Sequence, residues 1–386
     1  MNRLAALALA ALLATVPLAG RAADPFEINA ILAVTGSASF LGKAQATALG
    51  VIEDQVNKSG GIAGRPIHFA IADDQSNPQV GVQLMNGIIA KKAAVVIGSS
   101  IVAVCNAMVP LAADGPAVYC LSPGLHPAEG SYAFSAEPST TDLLVASATY
   151  FRKRGWHKIA VITSSDATGQ DAERGIDGAF TAQGGFQIVD REHFNTTDVS
   201  VTAQMTHIKG SDAQALIAWS TGTPIATILR GINDTGIDMP VETTNGNLTY
   251  PQMKAYAAFM PKELYFPAAA AFAPDQLSDR AVKRKVLDFV DAFKATGTRP
   301  DAGYVVAWDP GLLVVDAYKK LGLNATAAQI KDYLAGLRGW VGINGRYDFR
   351  AIPQRGVGAG AVIMVRWDPA KESWVGTSKP GGEPLT

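Results

Sequence analysis

Short apolar runs alternate with helical patterns along almost the whole chain, and this alternation is the strongest limit on how the chain can fold. Runs rich in Val, Ile, Ala and Phe occupy residues 28–34, 67–72, 94–98, 117–121, 158–163, 186–190, 215–219 and 264–268. Several are apolar almost without a break, as strands are when helices cover both faces of a parallel sheet. Between them, Val201, Met205 and Ile208 recur at helical spacing. Val282, Val286, Phe289 and Phe293 carry another such stripe over three turns, with Ser278 as its expected cap. Doubly wound α/β layers on parallel sheets follow from this pattern. Two sets of units, before and after about residue 140, predict two lobes, and 386 residues is length for two to three domains. The Glu137-Pro138-Ser139 turn reads as the first crossing between them, because a helix over 139–152 then opens a new unit.

The first 22 residues stand apart. Arg3 precedes an apolar stretch over 4–18, and Gly20 and Ala22 fit the small-x-small rule, which predicts an export signal cleaved after Ala22. That stretch is short for a span and contains Pro17, and no later run reaches the roughly 18 apolar residues a span needs. The expected place of work is the periplasm, without a membrane anchor. A net charge of −1 leaves no basic field to hold nucleic acid or anionic lipid. Two cysteines are too few for a zinc ribbon or an iron–sulfur centre, and the five histidines show no metal spacing. No G-x-S-x-G elbow precedes a helix. Neither a cofactor nor a metal is expected, and a binding role is favoured over an enzyme; a secreted hydrolase is the weakest alternative.

In doubly wound sheets ligands sit beyond the carboxyl ends of the strands, where loops lead into helices. Those loops here are residues 35–42, 98–103 and 122–124 in the first half, and 164–169, 220–223 and 244–247 in the second. All six are rich in Gly, Ser, Thr or Asn, which supply backbone N–H groups and hydroxyls to an anionic or carbonyl oxygen. Turns and helix caps demand the same residues, so no single loop argues for a site. Together they predict a polar cleft.

Several of these segments carry a resemblance. Asp73-Asp74-Gln75-Ser76-Asn77-Pro78 after a strand, then a helix and Val95-Val96-Ile97-Gly98-Ser99-Ser100, is similar to the type I periplasmic solute-binding proteins, the Leu/Ile/Val-binding-protein-like receptors of ATP-driven importers. The Thr-Gly loop ending at Gly42, the 57–65 turn and the Ser122-Pro123 pair match the same family, over essentially the whole mature chain. The resemblance implies two α/β lobes joined by three crossings, with a small solute trapped between them by hinge closure and left chemically unchanged. The first lobe is then expected over 23–138 and 268–340, the second over 139–267 and 341–386, with crossings near 138, 268 and 340. The implied partner is a separate membrane permease, and a monomer is expected; a ligand-sensing input protein is the alternative use of the fold.

Ligand class is where the sequence departs from the amino-acid binders. Those relatives place an acidic residue on a second-lobe loop to meet the ligand's ammonium group, and Asn245 falls nearest that position here. Asn accepts a hydrogen bond but cannot neutralise a buried ammonium. Glu242 or Asp166 would serve if the match slips, and Thr168 stands where many relatives carry tyrosine. Relatives that take up aromatic acids share a Gly-Ser-Ser loop and a loop like Trp219-Ser220-Thr221-Gly222-Thr223-Pro224. An aromatic or related organic acid is therefore the favoured ligand, with a branched-chain or other amino acid as the alternative. The expected contacts are Phe40, Leu41, Ser99, Ser100, Val102, Ser122, Pro123 and Gly124 from the first lobe. The second contributes Thr168, Trp219, Thr221, Gly222, Thr223 and Asn245, and Phe272 lies near the second crossing.

Two further features bear on the frame. Asp309-Pro310 interrupts the apolar stretch 304–321, so a helix there either kinks, the favoured reading, or restarts at Pro310. Such a kink would move Trp308 relative to the cleft. Cys105 and Cys120, 15 residues apart in an oxidising compartment, are expected to form a bond bracing the first-lobe wall; the other reading is two buried thiols.

Overall fold

Eight of the apolar runs are strands of two sheets in a computed structural model that describes residues 24–385. The predicted export signal lies outside the described residues. The first sheet holds β1 (Phe26–Leu32), β2 (Ile67–Asp73), β3 (Val95–Ile97), β4 (Ala117–Cys120) and β5 (Ala133–Ser135), in the order β2-β1-β3-β4-β5. All its pairings are parallel. The second sheet begins with β6 (Lys158–Ser164), β7 (Gln187–Phe194), β8 (Ala215–Trp219), β9 (Val241–Thr243) and β10 (Leu264–Ala268). A small hairpin, β11 (Arg338–Val341) and β12 (Arg346–Asp348), intervenes before β13 (Ile363–Asp368) and β14 (Ser373–Gly376). These last two extend the second sheet antiparallel, giving the order β14-β13-β10-β9-β8-β6-β7.

Helices cover both faces of each sheet. In chain order they are α1 (Ser39–Lys58), α2 (Pro78–Ala90), α3 (Val102–Met108), α4 (Thr140–Arg154), α5 (Ala167–Gln183) and α6 (Thr202–Gly210). Then come α7 (Ile225–Thr235), α8 (Tyr250–Tyr256), α9 (Arg280–Lys294), α10 (Ala302–Leu321) and α11 (Ala327–Gly336). Along β1 the side chains alternate: Ile28, Ala30 and Leu32 pack with Leu49 and Ile52 of α1 and Phe289 of α9, while Ile31 packs with Met85 of α2 and Met108 of α3. Along β6, Ala160 and Ile162 meet Ile228 and Leu229 of α7, while Ile159 and Val161 meet Leu144 of α4 and Ile176 of α5. Continuous apolar runs are the necessary consequence of two covered faces.

Local rules set the helix ends. Ser139 and Asp142 form a reciprocal capping box that starts α4 one residue past the chain's first passage between sheets. Helix α9 is capped by Asp279, whose carboxylate accepts the N–H groups of Ala281 and Val282; the expected cap, Ser278, lies one residue too early. Cys105 of α3 and Cys120 of β4 are bonded, closing a loop worth roughly 3 kcal/mol in the chain-entropy model.

Helix α10 runs unbroken through Pro310 and does not restart there. The residue before the proline ties this buried stretch to a later part of the chain. Asp309 is wholly buried, and its carboxylate accepts the N–H groups of Ile343 and Asn344 at 3.0 Å each, the Asn344 amide at 2.9 Å and the Tyr347 hydroxyl at 3.0 Å. Gly342 lets the turn come this close, since a Cβ there would lie 2.3 Å from an Asp309 oxygen. The β11–β12 hairpin is thereby tied to α10. Ile343, Tyr347, Phe349 and Val357 all belong to the first sheet's core. The third passage between cores therefore falls after Val357 and before β13, later than the expected crossing near 340, because Asp309 holds the intervening residues on the first side. Trp308 packs edge-on against Phe289 at 5.0 Å and is part of that core, away from the cleft.

Candidate functional site

The carboxyl ends of the two parallel strand sets face one another, and the loops beyond them enclose a cavity. From the first side its wall is made by Leu41, Ser100, Val102, Ser122, Pro123 and Gly124, and from the second by Thr168, Trp219, Thr221 and Asn245. Five other expected contacts lie elsewhere. Ser99 is buried beneath the wall, where its hydroxyl accepts the Ile101 N–H and closes the turn into α3. Phe40 sits at the start of α1 and Phe272 packs edge-on against Trp374, neither lining the cavity. Gly222 and Thr223 touch the opposite lobe directly: the Thr223 N–H donates to the Ser37 carbonyl at 3.2 Å. Gly222, at φ +88°, passes so near that a Cβ would lie 2.5 Å from the same oxygen. Those two residues form an inter-lobe contact instead of a wall.

The sequence reading missed Leu121, Glu137, Thr140, Thr244, Gly246, Ala302 and Val306, all of which line the cavity. Leu121, Thr244 and Gly246 are next to residues already chosen, and Ala302 and Val306 are brought in by the first turns of α10. Glu137 is the consequential one. It lies in the first passage between sheets with a left-handed φ of +63°, rare for a residue bearing a Cβ. Its side chain is buried, and Oε2 accepts from the Asn245 amide at 2.9 Å, across the cleft. Burial pushes its carboxyl up to about 7, against the opposing effects of the Asn245 hydrogen bond and the Arg355 charge.

Arg355, from the loop before the third passage, holds this corner together. Its buried guanidinium donates to the carbonyls of Ala136, Glu137, Pro123 and Leu125 at 3.4, 2.8, 3.3 and 2.5 Å. Burial lowers its pKa to about 10, so it stays charged at neutral pH. The Ser135 hydroxyl, two residues before Glu137, donates to the Ser122 carbonyl at 2.6 Å. The Ser122 loop and Glu137 are thus fixed side by side.

Neither of the two carboxylates considered as ammonium partners lines the cavity. Asp166 caps α5, accepting the Thr168 and Gly169 N–H groups. Glu242 is wholly buried in β9 and does not line the cavity; burial pushes its carboxyl up to about 8. Glu137 nevertheless brings a carboxyl group to the cavity wall, from a passage outside the six strand-end loops.

Two wall hydroxyls, Ser100 Oγ and Ser122 Oγ, are buried without a hydrogen-bond partner. A buried polar atom left unpaired costs about 1–3 kcal/mol, so such groups in a cavity wall call for a polar occupant. The cavity measures about 40 Å³ on a scale where one water needs about 10–15 Å³, which suits a small solute with the lobes closed. Outside it, His126 of the first lobe meets Asp171 of α5 at 2.7 Å, a further inter-lobe contact. Among the described residues no group of His, Cys, Asp or Glu is placed to hold a metal ion, and no helix is long and apolar enough to cross a membrane.

Comparison with known proteins places this architecture. The family model for periplasmic binding proteins matches residues 25–372. The chain belongs to the periplasmic binding protein family. Solved structures of similar fold include an extracellular ligand-binding receptor from Rhodopseudomonas palustris HaA2, 21% identical, with a TM-score of 0.81 over 91% of this chain and 99% of that one. The branched-chain amino acid transporter substrate-binding protein LivJ of Streptococcus pneumoniae, solved with isoleucine, is 21% identical with a TM-score of 0.76 over 91% and 98%. A solute-binding protein of an ABC transporter from R. palustris, solved with benzoate, is 19% identical with a TM-score of 0.75 over 94% and 98%. At such identities the likeness is one of fold. No protein of curated function matches the sequence. A periplasmic binding protein is thus the frame in which this cavity is to be understood.

Proposed function

We propose that this chain is the exported solute-binding component of an ATP-driven importer, and that it traps a small carboxylate-bearing solute between its lobes. One observation carries the reading: the unpartnered hydroxyls of Ser100 and Ser122 in the cavity wall, beside the N-terminal turn of α3. Hydroxyl donors in a buried wall suit a carboxylate oxygen. The remaining lining, with Leu41, Val102, Leu121, Trp219 and Val306, suits an apolar body attached to it. Solved neighbours of this fold hold isoleucine and benzoate, two solutes that share a carboxylate and an apolar body.

Closure of the two lobes about the passages near 136–139, 269 and 358–362 would bury the solute and present a single surface to a permease. Such a protein works in the periplasm as a monomer and returns its ligand unaltered. Refolded protein is screened by thermal unfolding against benzoate, phenylacetate, aliphatic acids and amino acids. A solute at about 100 times its Kd adds roughly 2.7 kcal/mol and raises the midpoint by a few degrees. Carboxylates that shift the midpoint and are recovered intact support the reading; a shift only with neutral amides or sugars, or a ligand recovered as product, overturns it.

A further inference from the structure

We propose that Glu137 determines specificity: its carboxylate receives a protonated amino group carried next to the solute's own carboxylate, so that the solute has the form of an α-amino acid. The inference rests on the carboxylate-trapping reading above and deepens it. Glu137 lines the cavity, and one carboxyl oxygen is held by Asn245 from the other lobe. A carboxylate has about four acceptor sites, so this bond orients the group and leaves acceptor capacity for an occupant. The Ser122 loop is its neighbour, because one Arg355 guanidinium binds the carbonyls of Pro123, Leu125, Ala136 and Glu137 together. An α-amino acid presents its ammonium and carboxylate two bonds apart, which matches hydroxyl donors and an anionic acceptor held side by side.

A simple acid meets the opposite situation. Its carboxylate would enter a small cavity that already contains one, and like charges in a buried site cannot both stay ionised without a strong penalty. It could bind only with Glu137 protonated. Burial, which pushes the Glu137 carboxyl up to about 7, makes that form accessible at modest acidity. The charged groups acting on Glu137 are Arg355, which favours its ionised form, and Asp309, which opposes it; Asp142 and Asp171 act on the same guanidinium. The two ligand forms therefore have opposite pH dependence. Affinity for an amino acid falls as pH drops below about 7 and Glu137 takes up a proton, whereas affinity for a simple acid falls as pH rises above it.

The test is calorimetric titration of the wild-type protein with matched pairs that differ only by the amino group: leucine and isocaproate, valine and isovalerate, phenylalanine and hydrocinnamate, with benzoate alongside. The expected result at pH 8 is at least tenfold tighter binding of the amino member of one pair. Glu137→Gln, checked for folding by its melting transition, should abolish that preference and, by removing the like charge, tighten binding of the simple acid at pH 8. Equal or tighter binding of the simple acids by wild-type protein overturns the inference and leaves the carboxylate reading standing. Failure of every acid, with and without nitrogen, overturns both. Since the wild-type comparison needs no variant, a misfolded Glu137→Gln does not blunt it. A pH slope that persists in a folded Glu137→Gln belongs to another group and counts against the proposal.

Discussion

Glu242→Gln should stabilise this protein in alkaline solution and leave it nearly unchanged in acid. Glu242 is buried in the second sheet with neither carboxyl oxygen paired, and burial raises its pKa from 4.5 to about 8. In the unfolded chain the group loses its proton near 4.5, whereas the folded chain keeps it until about 8. Between those values the native state binds more protons, so stability falls as pH rises. At about 1.4 kcal/mol per unit, the accumulated loss by pH 8 to 9 is on the order of 4 kcal/mol, an upper figure because the buried site can relax. Glutamine has the same shape and no proton to release. Urea unfolding of both proteins at intervals from pH 5 to 9 should give a stability difference near zero at the acid end and several kcal/mol in favour of the variant at the alkaline end. Comparing the two proteins at each pH removes the contributions of Glu137 and Asp301, whose carboxyls burial also raises to about 7. A difference independent of pH would refute the reasoning, since it would mean that Glu242 is hydrated or ionised in the native state.

Three further outcomes follow from the same structure. Gly222→Ala puts a Cβ at φ +88° against the Ser37 carbonyl, so it should weaken solute binding tenfold or more by opposing closure, with a much smaller change in melting temperature; titration calorimetry beside a thermal scan separates the two. Asp309→Ala leaves two buried backbone N–H groups and the Tyr347 hydroxyl without their acceptor, and should cost about 3 kcal/mol or more in denaturant unfolding. Replacing Cys105 and Cys120 together by serine should lower stability by roughly 3 kcal/mol and leave the solute affinity within a few-fold of the parent, as unfolding and titration of the double variant would register.

The strands that sequence reading located are those with apolar runs, such as β1 and β8. Strands β5 and β9, three residues each, escaped it because neither carries the unbroken apolar run that marks the equally short β3: β5 ends in Ser135, and β9 contains a buried Glu where an apolar residue would be expected. The hairpin at 338–348 was hidden for a different reason: its place depends on Asp309, some 35 residues earlier in the chain. Loop composition located most of the cavity wall, since glycine and hydroxyl residues at strand ends must face the cleft in a doubly wound sheet. It misjudged Phe40 and Phe272, whose rings a solute could use but which lie outside the cavity wall. Glu137 was legible as a crossing residue and not as a wall residue. Its side chain reaches the cavity only through a left-handed backbone conformation and an Arg355 clamp from 218 residues downstream, neither of which leaves a local signature.

A crystal structure of the protein grown with a carboxylate that raises its melting temperature would test the central claim most directly. The account predicts density between the lobes, with the carboxylate oxygens within hydrogen-bond distance of Ser100 and Ser122 and the apolar body toward Trp219 and Val102. Solute density instead in the surface groove lined by Tyr250, Arg299 and Trp367, with the inter-lobe cavity holding only water, would contradict it.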